Sequence, residues 1–71
     1  TGVERDYALA LKWYRKSAER GDIIAAPGMT GEALLLEKGL GGERNLPLAR
    51  QLLTKAAALG YAPAKEALAA L

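Results

Sequence analysis

The sequence has no cysteine and no histidine. Without cysteine there are no disulfides, no thiolate metal sites and no cysteine nucleophile. Without histidine, the commonest metal ligand and the usual general base are both gone. Phenylalanine is also absent and β-branched residues are few, so the 51% of hydrophobic residues comes largely from Ala and Leu. These two lose little side-chain freedom in a helix, which predicts an all-α chain. An excess of either charge is missing too. Ten basic and eight acidic residues alternate for a formal net charge of +2. That is a solvated helical surface, not the footprint of a nucleic-acid binder. No run approaches the roughly 20 apolar residues of a membrane span, and no signal-peptide pattern opens the chain. A chain of 71 residues allows one small domain with a thin core, burying only about 60% of its unfolded surface.

What is present is a repeat. Gly2 falls on Gly41, Glu4-Arg5 on Glu43-Arg44, Asp6 on Asn45 and Ala10 on Ala49 at a constant offset of 39 residues. The match continues with Trp13-Tyr14 on Leu52-Leu53, Lys16 on Lys55, Ala18 on Ala57 and Gly21 on Gly60. The period is somewhat longer than the roughly 34 residues of a tetratricopeptide. Each copy reads as a capped helix. Asp6 and Asn45 are N-cap types, and Pro47 suits a first turn, where its missing N–H costs nothing. Tyr7, Ala10, Leu11, Tyr14, Ser17 and Ala18 form a stripe at helical spacing, with Trp13 on its flank. Gly21 and Gly60 stop the helices, and Lys16 and Arg20 sit where the helix dipole favours cations.

Between the copies, Pro27-Gly28 is expected to interrupt the chain, leaving regular helix at about 30–38 and an irregular turn at 23–26. Met29, Ala33, Leu35 and Leu36 would face inward. Gly39-Leu40-Gly41-Gly42 reads as a loop, and Ala62 to Leu71 as a last Ala-rich helix. The expected helices are thus about 6–20, 30–38, 46–59 and 62–70, short and antiparallel, in one partial repeat array over residues 1–71.

Little in the chain supports catalysis, and no enzyme, cofactor or metal is expected. Ser17 is the only serine, no histidine can activate it, and a small residue suits a close helix approach. Glu32 and Glu37 are five residues apart, about 140° around a helix, so they do not converge. Gly39, Gly41 and Gly42 are not followed by Gly-Lys-Ser/Thr, so a repeat turn is the better reading than a phosphate loop. Tyr7, Trp13 and Tyr14 read as packing residues. Lys12, Arg15, Lys16 and Arg20 make a basic edge, either solvated or facing a partner's acidic patch.

Gly2-Val3, Asp6-Tyr7, Ala10, Trp13-Tyr14, Ser17-Ala18 and Gly21 together resemble the second helix of the Sel-one-like repeat (SLR) family, relatives of the tetratricopeptide repeat. Leu36-Glu37-Lys38-Gly39-Leu40-Gly41 resembles that family's inter-helix turn, with Leu36 in a slot usually held by Tyr. Gly60-Tyr61-Ala62-Pro63-Ala64 resembles the opening of a further repeat. Three departures stand out. The family's Leu-Gly pair falls on Glu32-Ala33, the connection after Gly21 is a few residues longer, and Val3 becomes Gly42. In a shifted register Gly31 takes the glycine slot and the insertion moves into the later loop.

The resemblance implies antiparallel helix-turn-helix repeats stacked as an α/α solenoid. It implies a protein–protein interaction scaffold or adaptor, with a peptide or protein partner held on a wall of first helices. The expected contacts are Leu34, Glu37, Lys38, Lys65 and Glu66. Packing between repeats is expected from Tyr7, Ala10, Trp13, Tyr14, Ala18, Leu36, Ala49, Leu52, Leu53 and Ala57. The first helix of the leading repeat would precede Thr1, so helix 6–20 should expose an apolar side, with a larger parent or self-association through Tyr7, Ala10 and Tyr14. Two other readings stay open: a partner-selecting module of a larger enzyme or signalling protein, and a helical-repeat RNA reader. Bacterial relatives occur in cytoplasm and periplasm, and the lack of cysteine does not choose between them.

Overall fold

The computed structural model describes the backbone of residues 2–71 and side-chain surroundings from Asp6 onward. It is all-α: α1 (Gly2–Ala18), α2 (Ala26–Lys38), α3 (Leu46–Ala58) and α4 (Ala62–Ala70), with a 3-10 turn at Ile23–Ala25. No strand occurs among the described residues.

Three helix ends differ from the sequence expectation, each for a local reason. Helix α1 starts at Gly2, so Asp6 lies inside it and does not cap it. No proline or second glycine follows Gly2, whereas Gly41-Gly42 and Pro47 hold the second copy out of helix until Leu46. (The side chains of Glu4 and Arg5, matched to Glu43-Arg44, lie outside the described surroundings.) At its other end, α1 stops at Ala18. Glu19 and Arg20 form a turn with long bonds of 3.4 and 3.5 Å to the Lys16 and Ser17 carbonyls. Helix α2 starts at Ala26, before the expected residue 30, because Pro27 sits in its first turn. There a missing N–H breaks no intrahelical bond, so the proline opens the helix and does not interrupt it.

Asn45 caps α3, its Oδ1 accepting from the Leu48 N–H at 3.1 Å. The end of α2 is closed by the loop that follows it. Gly39 turns left-handed at φ 70°, which lets the Leu40 N–H reach back to the Leu35 carbonyl at 2.9 Å. The Asn45 N–H then donates to Leu36 O, and Arg44 Nε donates to Glu37 O, both at 2.9 Å. Three carbonyls that a helix end normally leaves open are thereby satisfied. Gly60 closes α3 in the same manner, with Tyr61 N–H bonded to Ala56 O.

Helix α2 occupies the middle, packed on α1, α3 and α4, while α3 also packs on α4. The buried cluster joins Ala25, Ala26, Met29, Ala33 and Leu36 to Ala49, Leu53 and Ala56 of α3 and Ala64 of α4. Most of these are alanines, so helices must approach closely to exclude water. Fully burying the largest members, Met29 and Leu53, contributes about 1.5–3 kcal/mol each. On the other side of α2, glycines do the equivalent job. A Cβ on Gly28 would stand 2.8 Å from the Cβ and Oγ of Ser17, and one on Gly31 would stand 2.7 Å from the Tyr14 ring. These two bare positions let α1 settle onto α2.

Candidate interaction surface

Helix α2 is enclosed almost all round. Its exposed residues are Pro27, Leu34 and Lys38, with Gly31 and Glu37 half-buried. Positions 27, 31, 34 and 38 follow the helical repeat, so they form one stripe. Leu34 and Lys38 lie on that stripe and Glu37 at its edge. The Glu37 backbone carbonyl is taken by Arg44. Lys65 and Glu66 are exposed on α4. Because Ala62-Pro63 opens α4 as Ala26-Pro27 opens α2, Lys65 takes the position of Met29 and Glu66 that of Thr30. Glu66 therefore continues the side of Glu37. Lys65 points about 140° away from the position of Leu34, on the side that α2 turns into the core. The five expected contacts thus do not form a single patch.

The residues expected to pack between repeats divide in two. Leu36, Ala49 and Leu53 belong to the buried cluster, and Ala18, Leu52 and Ala57 pack against it half-buried. Tyr7 and Ala10 are half-buried, and Tyr14 is partly exposed beside Gly31. Trp13 departs from the expectation: it is 58% exposed, and Leu9 is 51% exposed. Their counterparts in the second copy, Leu52 and Leu48, pack against the core. The difference arises because α1 packs chiefly on α2, whereas α3 lies against both α2 and α4. The apolar side that α1 presents is therefore led by Leu9 and Trp13, with Tyr14 exposed as expected and Tyr7 and Ala10 half-buried.

The outward sides of α1 and α3 carry matching grooves. On α1, Ala8, Leu11, Lys12, Trp13, Arg15, Lys16 and Glu19, with Gly41 from the loop, line a groove of about 490 Å³. On α3, Pro47, Arg50, Gln51, Thr54, Lys55 and Ala58 line one of about 530 Å³. Six residues of the first (Ala8, Leu11, Lys12, Arg15, Lys16 and Glu19) map onto the second at the 39-residue offset. Within the first, Lys16 Nζ stands 5.8 Å from the centre of the Trp13 ring, within cation–π range. Sequence reasoning reaches the cations of α1 and matches Lys16 to Lys55 but misses Arg50. Carrying the offset through Leu11 would have found it.

The family model described as Sel1 repeat matches residues 1–22 and 29–61. The chain belongs to the Sel1 repeat family. Neither curated proteins nor solved structures give a match to it. The Sel1 repeat is a helical repeat and a non-catalytic scaffold, and its members are generally protein–protein interaction modules. No group of residues able to hold a metal ion occurs among those described.

Two local features set this Sel1 chain apart. The unmatched stretch between the Sel1 segments holds the 3-10 turn. Gly21 is followed by five residues up to the proline-bearing start of α2, Gly60 by two up to that of α4. The extra turn displays Ile23 and Ile24, 49% and 64% exposed. Asp22 caps it, its Oδ1 accepting from Ala25 N–H at 3.3 Å. The Arg20 guanidinium, hydrogen-bonded to Asp22, holds that carboxyl below the usual carboxylate range, against desolvation. The second feature is Glu32, only 7% exposed, in a slot where the resemblance places leucine. Arg15 Nε donates to its Oε2 at 3.3 Å from the half-open edge of α1. A buried carboxylate is tolerated there because a cation meets it.

Proposed function

We propose that this Sel1 chain is a scaffold or adaptor that holds a peptide or protein partner along the solvent-facing stripe of α2. Leu34, Glu37 and Lys38 make the contacts, Glu66 extends them onto α4, and Lys65 lies beyond the edge. The observation carrying this reading is that α2 is buried on every side but one. A partner meeting it finds a single rigid row with an apolar centre at Leu34 and a cation at Lys38. Such a preorganised row loses little freedom on binding.

The test is to replace Glu37 and Lys38 together by alanine and titrate a partner captured by the wild-type chain. Two lost polar contacts of about 1 kcal/mol each should weaken binding roughly ten-fold or more. Unchanged affinity removes the stripe from the interface. A second reading, self-association, is favoured by the exposure of Leu9 and Trp13. It predicts a concentration-dependent dimer in sedimentation that Trp13→Ser abolishes. A wild-type chain that stays monomeric at high concentration rules it out.

A further inference from the structure

The outward grooves of α1 and α3 match in position and both carry cations, of which Lys16 and Lys55 coincide at the 39-residue offset. Lys12, Arg15 and Lys16 line the first, and Arg50 and Lys55 the second. Among the described residues Glu19 is the one acidic residue lining either, and α3 has none in its whole length. Five cations against one acid leave the described groove linings at +4, with Glu32 beneath offsetting Arg15. The chain totals +2, so everything else carries −2. An even overall balance therefore conceals a polarised surface. Exposed apolar groups lie among the cations: Ala8 and Trp13 in the first groove, Pro47 and Ala58 in the second. The second groove meets the end of α1 at one point. Lys55 Nζ lies 4.0 Å from where a Cβ on Gly21, just past α1, would stand.

We infer that the outward faces of α1 and α3 form one docking surface for an extended acidic peptide segment of a partner protein. Its carboxylates meet Lys12, Lys16, Arg50 and Lys55, and its apolar side chains lie against Trp13 and Ala8. Arg15 is steadied from beneath by Glu32, which fixes the centre of the first groove. Cations above an apolar bed suit an amphipathic acidic chain, because each class of side chain finds its complement. A nucleic acid fits less well. Repeat readers of RNA use equivalent side chains in successive repeats, and the second copy puts half-buried Leu52 where the first has Trp13.

Trp13 is the chain's single tryptophan and lines the first groove, so its emission reports binding directly. The probe is a synthetic glutamate-rich peptide with leucine at every third position, titrated at low ionic strength. The expected result is a saturable emission change that weakens with added salt. Neutralising Lys12 with Lys16, or Arg50 with Lys55, to glutamine should each weaken binding about five- to ten-fold, read by calorimetry, with helical circular dichroism unchanged. The Glu37→Ala, Lys38→Ala variant should bind the probe as wild type does, because the α2 stripe is a separate surface; failure of one reading leaves the other standing. Absence of saturation, wild-type affinity in both neutralised variants, or equal binding of a lysine–leucine peptide would each overturn the inference. So would tighter binding to polyuridine or to phosphatidylserine vesicles than to the peptide.

Discussion

Gly28 and Gly31 invite the same substitution and should respond differently. In a helix, alanine ordinarily gains about 1 kcal/mol over glycine, so propensity alone makes both replacements stabilising. The structure reverses that for Gly28. Its added Cβ would sit 2.8 Å from Ser17 Cβ and 3.1 Å from the Ala18 backbone nitrogen, where carbon atoms pack comfortably at about 3.5–4.0 Å. Neither neighbour can step aside without moving α1. A retreat of about 0.5–1 Å forfeits a quarter to a half of the dispersion energy across the interface. Overpacking of this kind costs about 1–3 kcal/mol, so against the propensity gain the net effect of Gly28→Ala is a loss of up to about 2 kcal/mol. At Gly31 the conflicting atoms belong to the ring of Tyr14, which is partly exposed and free to swing outward. Gly31→Ala should end within about 0.5 kcal/mol of wild type. In a domain of this size Gly28→Ala should melt below Gly31→Ala by up to about 15 °C, followed by far-ultraviolet circular dichroism. Ser17→Gly in the Gly28→Ala background should recover part of the loss. A Gly28→Ala chain melting at or above Gly31→Ala would refute the idea that bare glycines set the α1–α2 distance.

Four further outcomes follow from the same geometry. Glu32→Leu should raise stability by about 1 kcal/mol, read as a higher urea midpoint, since it removes a buried carboxylate held by one half-exposed partner; a lower midpoint would show that the Arg15 contact outweighs its desolvation. Arg15→Ala should destabilise the wild type yet be nearly silent in the Glu32→Leu background, and equal effects in both would deny the coupling. Leu53→Ala, emptying a fully buried site, should cost about 2–5 kcal/mol, and half-buried Leu52→Ala distinctly less. The depressed pKa of Asp22 gives a stability contribution present above its unfolded pKa and lost as pH falls through the lower folded value. Asp22→Asn should therefore flatten the acid limb of a stability–pH curve and leave its slope unchanged near neutrality.

Features decided within a few residues were legible in the sequence. The Asn45 cap with Pro47, the turn at Gly39 and the stop at Gly60 all rest on chemistry that neighbours along the chain supply. The repeat offset also disclosed which helices are copies. Misreadings came where one residue serves two opposite purposes. Proline at 27 signals a break or a beginning, and only the helix it opens tells which. Asp6 has the chemistry of a cap, but nothing before it keeps the backbone out of helix. What depends on distant partners could not be read. Glu32 finds Arg15 seventeen residues away, and whether Trp13 is covered depends on what lies across α1. The stripe of α2 was half visible. Leu34 and Lys38 follow from periodicity, whereas Lys65 required knowing how α4 aligns with α2.

The central place of α2 has a mechanical corollary. Helices α1 and α4 each have a side open to water, so they can unravel locally while α2 keeps its remaining neighbours. Amide protons in α2 should then exchange slowest in the molecule, with those of α4 among the first to be lost. The row from Pro27 to Lys38 thus rides on the last segment to melt, and a ligand gripping it would tug on the stiffest girder of the frame.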